Sequence, residues 1–216
     1  MIKFENTDIF NFVGAIRGMR NPLNSWDKSD SDFSSCDIGI FTIGENDLNL
    51  AKRLCKAGSD HRKFLRQSMV SVDITAPLYW WKEFDTYKVG TVANSCSTMH
   101  KIHAKEFTIF DFSCEYLEYR KDENGMELSK DILEWVISTL NFYREQYNIT
   151  KDKKYWYTMI QLLPSSYNQM RTVTLNYETL RNIYGSRRNH KLDEWSVGFI
   201  DWIETLPYAK ALIIGE

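Results

Sequence analysis

The chain has 216 residues, 43% of them hydrophobic and 26% charged, with a formal charge of −2. That length suits one domain spanning residues 1–216, and the composition excludes a disordered or fibrous chain. A near-neutral balance without a basic face removes the electrostatic case for a nucleic-acid or anionic-membrane partner.

The start, MIKFENTDIF, carries acidic and polar residues where a leader peptide needs an apolar core. No apolar run approaches the ~20 residues of a membrane span, so a soluble, cytoplasmic protein is expected. Cys36, Cys55, Cys96 and Cys114 are widely spaced with no CxxC pair, which fits a reduced compartment.

FNFVGAIRGMR suits either a strand or a helix, and RNPLNSWDKSDSDFSSCD reads as a loop, because Pro, Asn, Asp and Ser cluster there without period. Residues 45–57 read as a helix on Leu48, Leu50 and Leu54, stopped by Gly58. From Ser68, Val70, Val72 and Ile74 alternate with Ser71, Asp73 and Thr75, the period of a half-buried strand. After Pro77 comes a dense run, Tyr79, Trp80, Trp81, Lys82, Glu83, Phe84, Asp85, Tyr87 and Lys88, then an uncharged stretch from Val89 to Met99. Aromatics, charges and a small polar loop in succession suit a site that stacks and hydrogen-bonds a planar ligand. An amphipathic helix followed by a surface loop is the alternative.

Glu106 to Tyr119 is ambiguous between helix and strand, and Asp122 to Gly125 reads as a turn. Ser129 is a candidate cap for a helix carrying Ile132, Leu133, Val136, Ile137, Leu140 and Tyr143, with NITKDKKYW as a polar connector. Pro164 precedes a long stretch read as helical, and Leu192, Trp195, Phe199, Trp202, Ile203 and Leu206 form a stripe ending at Pro207. The expected class is α+β, with helices dominating the C-terminal half.

Known chemical motifs are sparse. His100-x-x-His103 would place two imidazoles on one helix face, but no third metal ligand accompanies them, so no metal site is expected. GxGxxG, GxxxxGK[ST] and GxSxG are absent. Cys96 has no nearby histidine in a nucleophile pattern, which favours a buried or idle thiol.

If the segment after Pro164 is helical, Asn176, Leu180, Ile183 and Arg187 share one face, since steps of four, seven and eleven return near one angle. The arginine fork suits a phosphate, carboxylate or carbonyl, and Asn176 or Asn182 suits a ring edge. A solvated arginine and turn-capping asparagines are the competing reading.

LLP at Leu162–Pro164, NYETLRN from Asn176 and then SRRNHKLDEW resemble, in order and spacing, the flavin-dependent thymidylate synthase family, ThyX. Upstream, His61 and the ITAP segment fit the same register, so the resemblance covers roughly residues 45–206. The family signature is RHR, then Ser, then Asn, Glu, Ser and Arg-Tyr. Here Thr86, Tyr87 and Lys88 stand at RHR and Thr91 at the Ser, followed by Ala93, Asn94, Ser95, Cys96, Ser97 and Thr98, the last in place of an arginine. Glu83 replaces a Gln, and Ile160 replaces an Arg before Leu-Pro.

The resemblance implies a ThyX-like fold, an antiparallel sheet with packed helices, assembled as a homotetramer with FAD sites shared between subunits. It implies reductive methylation of dUMP, with methylenetetrahydrofolate as carbon donor and NADPH as reductant. In that register Thr86, Tyr87, Lys88, Asn94, Asn176 and Asn182 are flavin contacts. Glu83, Ser95, Ser97 and Arg187 are nucleotide contacts, with Arg187 also the catalytic residue. Tyr87, Trp80 or Trp81 would stack on flavin or base unless they pack in the core. Lys82, Lys88, Arg66 or Arg171 would replace the two lost phosphate-binding arginines. A flavoenzyme for another pyrimidine nucleotide, or a non-catalytic binding protein of the same fold, also fits these departures.

Overall fold

A computed structural model describes residues 2–34, 41–119, 122–123 and 129–215. Four strands, β1 (Lys3–Phe10), β2 (Met69–Pro77), β3 (Thr91–Ser95) and β4 (Asn168–Asn176), form one antiparallel sheet in the order β1-β2-β4-β3. The helices are α1 (Phe12–Arg20), α2 (Glu45–Lys56), α3 (Leu78–Phe84), α4 (Ser129–Thr150), α5 (Lys153–Leu162), α6 (Tyr177–Arg187) and α7 (Ile200–Thr205). Two wider, π-type turns, Glu194–Phe199 and Lys210–Ile214, flank α7. The α+β reading holds. No helix among the described residues is long and apolar enough to cross a membrane.

The chain divides into two compact units. The first comprises residues 1–3, 75–84 and 95–171, and the second residues 4–74, 85–94 and 172–216. The first unit is built on α4 and α5. Leu133, Ile137 and Leu140 bury one face of α4 with Met159 of α5, Ile102, Phe107 and Phe112. Burying such side chains contributes roughly 1.5–3 kcal/mol each. An opposite stripe of α4, Ile132, Trp135, Phe142 and Ile149, is exposed.

In the second unit Val70, Val72 and Ile74 are the buried positions of β2, as the alternation predicts. Val173 and Leu175 of β4, Ile16 of α1, Ala51 of α2, Leu180 and Ile183 of α6 and Trp195 bury their side chains in the same unit.

Several expectations are corrected. The stretch after Pro164 is not one helix: β4 intervenes, because Thr172, Val173 and Thr174 are β-branched and Val173 and Leu175 alternate inward. Val89 to Met99 is not all loop, since Thr91–Ser95 pairs as the edge strand β3. The polar connector is only a break between helices. Lys151 takes a left-handed φ of 57°, and Asp152 caps α5 by accepting from Lys154 N at 3.0 Å. Glu106 to Tyr119 is mostly irregular, with one short turn at Ile109–Asp111. His100 and His103 lie in turns rather than on a helix, and His103 packs edge-on against Tyr147. Ser129 is the first residue of α4, its hydroxyl accepting from Glu118 N at 3.1 Å. The end of the expected loop, residues 35–37 with Cys36, and the end of the expected turn, residues 124–125, lie outside the described residues.

Candidate functional site

Trp80 and Trp81, read as stacking candidates, are 0% and 1% exposed. They pack with Phe84 inside the first unit, Trp80 stacked on it at 5.0 Å and Trp81 edge-on at 5.3 Å. Trp81 Nε1 donates to Gln169 O at 2.9 Å, and the Arg171 guanidinium lies 4.2 Å from its ring centre. These rings are core, and Arg171 is engaged there.

A cavity of about 420 Å³ opens in the second unit. One wall is Thr86, Tyr87, Lys88 and Val89; another is the start of α6, Asn176, Thr179 and Asn182, with Arg66 and Glu178 completing it. Asn176 begins α6 in extended conformation, its Oδ1 accepting from Thr179 N at 2.9 Å. The Thr179 hydroxyl, with one proton to give, lies 3.0 Å from Val89 O and 3.1 Å from Asn176 Oδ1. This ties the two walls together. Gly90 is required at the junction: its φ is 72°, and a Cβ there would fall 2.4 Å from Asn176 Nδ2.

The charges are arranged unevenly. Glu178 is buried and accepts from Arg62 Nε at 2.8 and 3.1 Å, so its carboxylate is matched. Arg66 and Lys88 are exposed at the cavity and leave it net positive. Arg187, at the last turn of α6, donates from Nε to Tyr87 Oη at 2.8 Å. Its guanidinium lies 4.8 Å from the Trp195 ring centre and 5.5 Å from that of Tyr87. Stacking and a hydrogen bond together hold the fork in one orientation.

The structure therefore brings six residues singled out from the sequence, Arg66, Thr86, Tyr87, Lys88, Asn176 and Asn182, to one cavity, with Arg187 attached through Tyr87. Asn94 lies exposed on β3 in the same unit and does not line that cavity. Glu83 on α3, Ser95 at the end of β3 and Ser97 belong to the first unit, where Ser97 Oγ accepts from His100 N at 2.9 Å. Sequence reasoning missed Val89, Glu178 and Thr179. Thr179, three residues after a capping Asn, is the one with a local signal.

Burial pushes the Cys55 thiol up to about 11, and Cys96 is exposed. Burial also pushes the Tyr177 hydroxyl far above its ordinary range, and that group donates to Pro207 O at 2.9 Å. No group of three or more His, Cys, Asp or Glu is placed to hold a metal among the described residues.

The double duty of Asn176 yields a stability prediction. Asn176→Ala removes the α6 cap and is expected to cost about 1 kcal/mol, lowering Tm by ~2–4 °C. Thermal unfolding followed by circular dichroism checks this, and an unchanged Tm would contradict the capping role.

No protein-family model and no curated protein sequence matches the chain. Solved structures do. Thymidylate synthase X (ThyX) from Helicobacter pylori, crystallised with FAD and dUMP, superimposes with a TM-score of 0.67 at 15% identity, over 98% of this chain and 96% of that one. A second ThyX structure from the same organism, also with FAD and dUMP, gives 0.65 at 15% identity over 98% and 97%. The UMP/dUMP methylase PolB from Streptomyces cacaoi, bound to 5-Br dUMP, gives 0.54 at 14% identity over 94% and 86%. The chain has a ThyX-like fold.

Proposed function

We propose that the chain is a flavin-dependent enzyme that reductively methylates dUMP to dTMP, with methylenetetrahydrofolate giving the carbon and NADPH the electrons. The observation that carries this is the cavity of the second unit, where Thr86–Lys88 and the start of α6 meet and Arg187 is held by Tyr87. The residues present fit an FAD. Arg66 and Lys88 suit its phosphates, and Asn176 and Asn182 offer amides to a ring edge. Asn94 is proposed as a further flavin contact on the resemblance alone.

When bound, the flavin supplies the electron-transfer chemistry; the protein supplies orientation and electrostatics. Arg187 holds a fixed charge where a pyrimidine carbonyl becomes negative, the role assigned to it as catalytic and nucleotide-binding residue. Glu83, Ser95 and Ser97 are proposed nucleotide contacts on the resemblance. Residues 1–216 act as one cytoplasmic flavin- and nucleotide-binding domain. The exposed Ile132, Trp135, Phe142 and Ile149 stripe supports assembly, as a homotetramer.

One observation favours a second reading, a flavoenzyme acting on a different pyrimidine nucleotide. Tyr87 stands at the centre of the RHR signature and engages Arg187 directly, a contact that redraws the base-recognition surface. A neighbour of this fold is a UMP/dUMP methylase.

The test is purification followed by FAD titration. The expected result is a yellow protein, of four-chain mass by light scattering, that binds dUMP and rescues a thymidine-requiring bacterium. A colourless protein that FAD cannot reconstitute sinks both readings; FAD binding without rescue, in well-expressed cells, favours the second.

A further inference from the structure

A second cavity, of about 480 Å³, lies in the second unit. Asn46, Leu50 and Arg53 face it from α2, at the i, i+4, i+7 spacing that places residues on one helical face. Lys28, from the short turn Trp26–Lys28, and Arg20 with Ser25 complete its polar wall, and no carboxylate among the described residues lines it.

Arg20 is the decisive residue, since it is only 4% exposed. Its Nε is paired with the fully buried Asp47, and its Nη1 lies 3.2 Å from Ser25 O and 3.3 Å from Ser25 Oγ. Nη2 is buried with no hydrogen-bond partner among the described residues. Buried guanidinium nitrogens in folded proteins normally find an acceptor. Asp47 already accepts from Ser29 Oγ and Ser31 Oγ as well, so its oxygens are committed and do not serve Nη2. Lys28 and Arg53 are exposed and make no ion pair among the described residues. The cavity is thus a polar recess with one buried, under-satisfied guanidinium and two exposed cations at its rim.

We propose that this recess is an anion-binding site, separate from the Arg66–Lys88 cavity, for a small phosphoryl-bearing molecule such as a phosphomonoester or diphosphate. The buried guanidinium supplies directional donors, the two rim cations supply charge, and Leu50 supplies an apolar surface for the body of the ligand. The proposal stands independently of flavin chemistry.

Inorganic pyrophosphate is the probe, titrated calorimetrically into the full chain at ionic strength fixed with sodium chloride. The chain is expected to bind it saturably. Lys28→Ala/Arg53→Ala, both at exposed positions, should weaken that binding by about tenfold or more, as loss of two charge-assisted contacts implies. Arg66→Ala/Lys88→Ala should leave this binding in place. Absence of saturable binding, or an unchanged affinity in the Lys28/Arg53 variant, would overturn the proposal. So would loss of all binding in the Arg66/Lys88 variant.

Discussion

Replacing Arg187 with alanine is expected to lower turnover on dUMP by about 10²–10³-fold, the ~2.7–4 kcal/mol that accompanies removal of one preorganised donor from a reacting centre. The chain itself should remain folded. Arg187 is half-buried at the C-terminal turn of α6, where a cation gains about 0.3–1 kcal/mol from the helix dipole. Its contacts include a hydrogen bond to Tyr87 and stacking on Trp195, a ring that also packs edge-on against Phe199. Arg187→Lys should fail nearly as badly. An ammonium lacks the planar fork whose Nε donates to Tyr87 while the guanidinium lies over the Trp195 ring.

Tyr87→Phe separates positioning from charge. It keeps the guanidinium but removes the hydroxyl that orients it, so kcat should fall less than in Arg187→Ala. Steady-state kinetics on FAD-loaded protein, with circular dichroism as the folding control, decides the matter. Full activity in Arg187→Ala would remove the residue from the chemistry.

How much of this was legible in the chain differs from element to element. The β2 alternation of Val70, Val72 and Ile74 is a two-residue period over a run long enough to be unmistakable, and it is buried as read. The Asn176 to Arg187 face was also legible: Leu180 and Ile183 are fully buried, while Asn176 and Arg187 stand at the two ends. β4 was hidden because its strand pattern runs directly into that helix, with Asn176 serving as both last strand residue and cap. β3 was hidden for a different reason. It is an edge strand whose side chains are largely exposed, so no apolar alternation marks it.

The aromatic run misled in part, since composition does not distinguish a ring facing a ligand from one facing the core. Trp80, Trp81 and Phe84 went to the core, and only Tyr87 reached the cavity. The resemblance carried the fold, and the solved structures bear that fold out. No local pattern announces what depends on distant pairing: Arg62 with Glu178, Tyr87 with Arg187, Arg20 with Asp47.

The last of these pairs carries the largest stability prediction. Asp47 is wholly inaccessible in the first turn of α2. Besides the Arg20 guanidinium, its Oδ2 accepts from Ser29 Oγ at 2.7 Å, from Ser31 Oγ at 2.6 Å, and from Asp30 N and Ser31 N at 3.2 Å. One carboxylate thus fastens the 29–31 loop to α2 while neutralising a buried arginine. Asp47→Ala strands that arginine and is expected to cost about 3–5 kcal/mol, a large share of the roughly 5–15 kcal/mol that holds a domain folded.

The double variant Arg20→Met/Asp47→Leu tests the cause. With both charges gone, it should be less destabilised than Asp47→Ala, because the loss comes chiefly from the orphaned charge rather than from the pair's own attraction. Equal destabilisation of the two would refute that account.

The pH dependence follows from the same contacts. Burial acts to raise the Asp47 carboxyl, but the hydrogen bonds from Ser31, Ser29 and Arg20 and the charge of Arg20 outweigh it and hold the group below its ordinary value. A carboxyl depressed in the folded state contributes stability that is fully present above its unfolded value of ~3.9. That contribution is lost as pH falls through the lower folded value. Urea unfolding at pH 7 should therefore separate wild type from Asp47→Asn widely, and the gap should narrow below about pH 4 as the wild-type carboxyl takes up its proton. A gap that stays constant from pH 7 to pH 3 would show that the carboxylate's charge is not what the loop and the helix depend on.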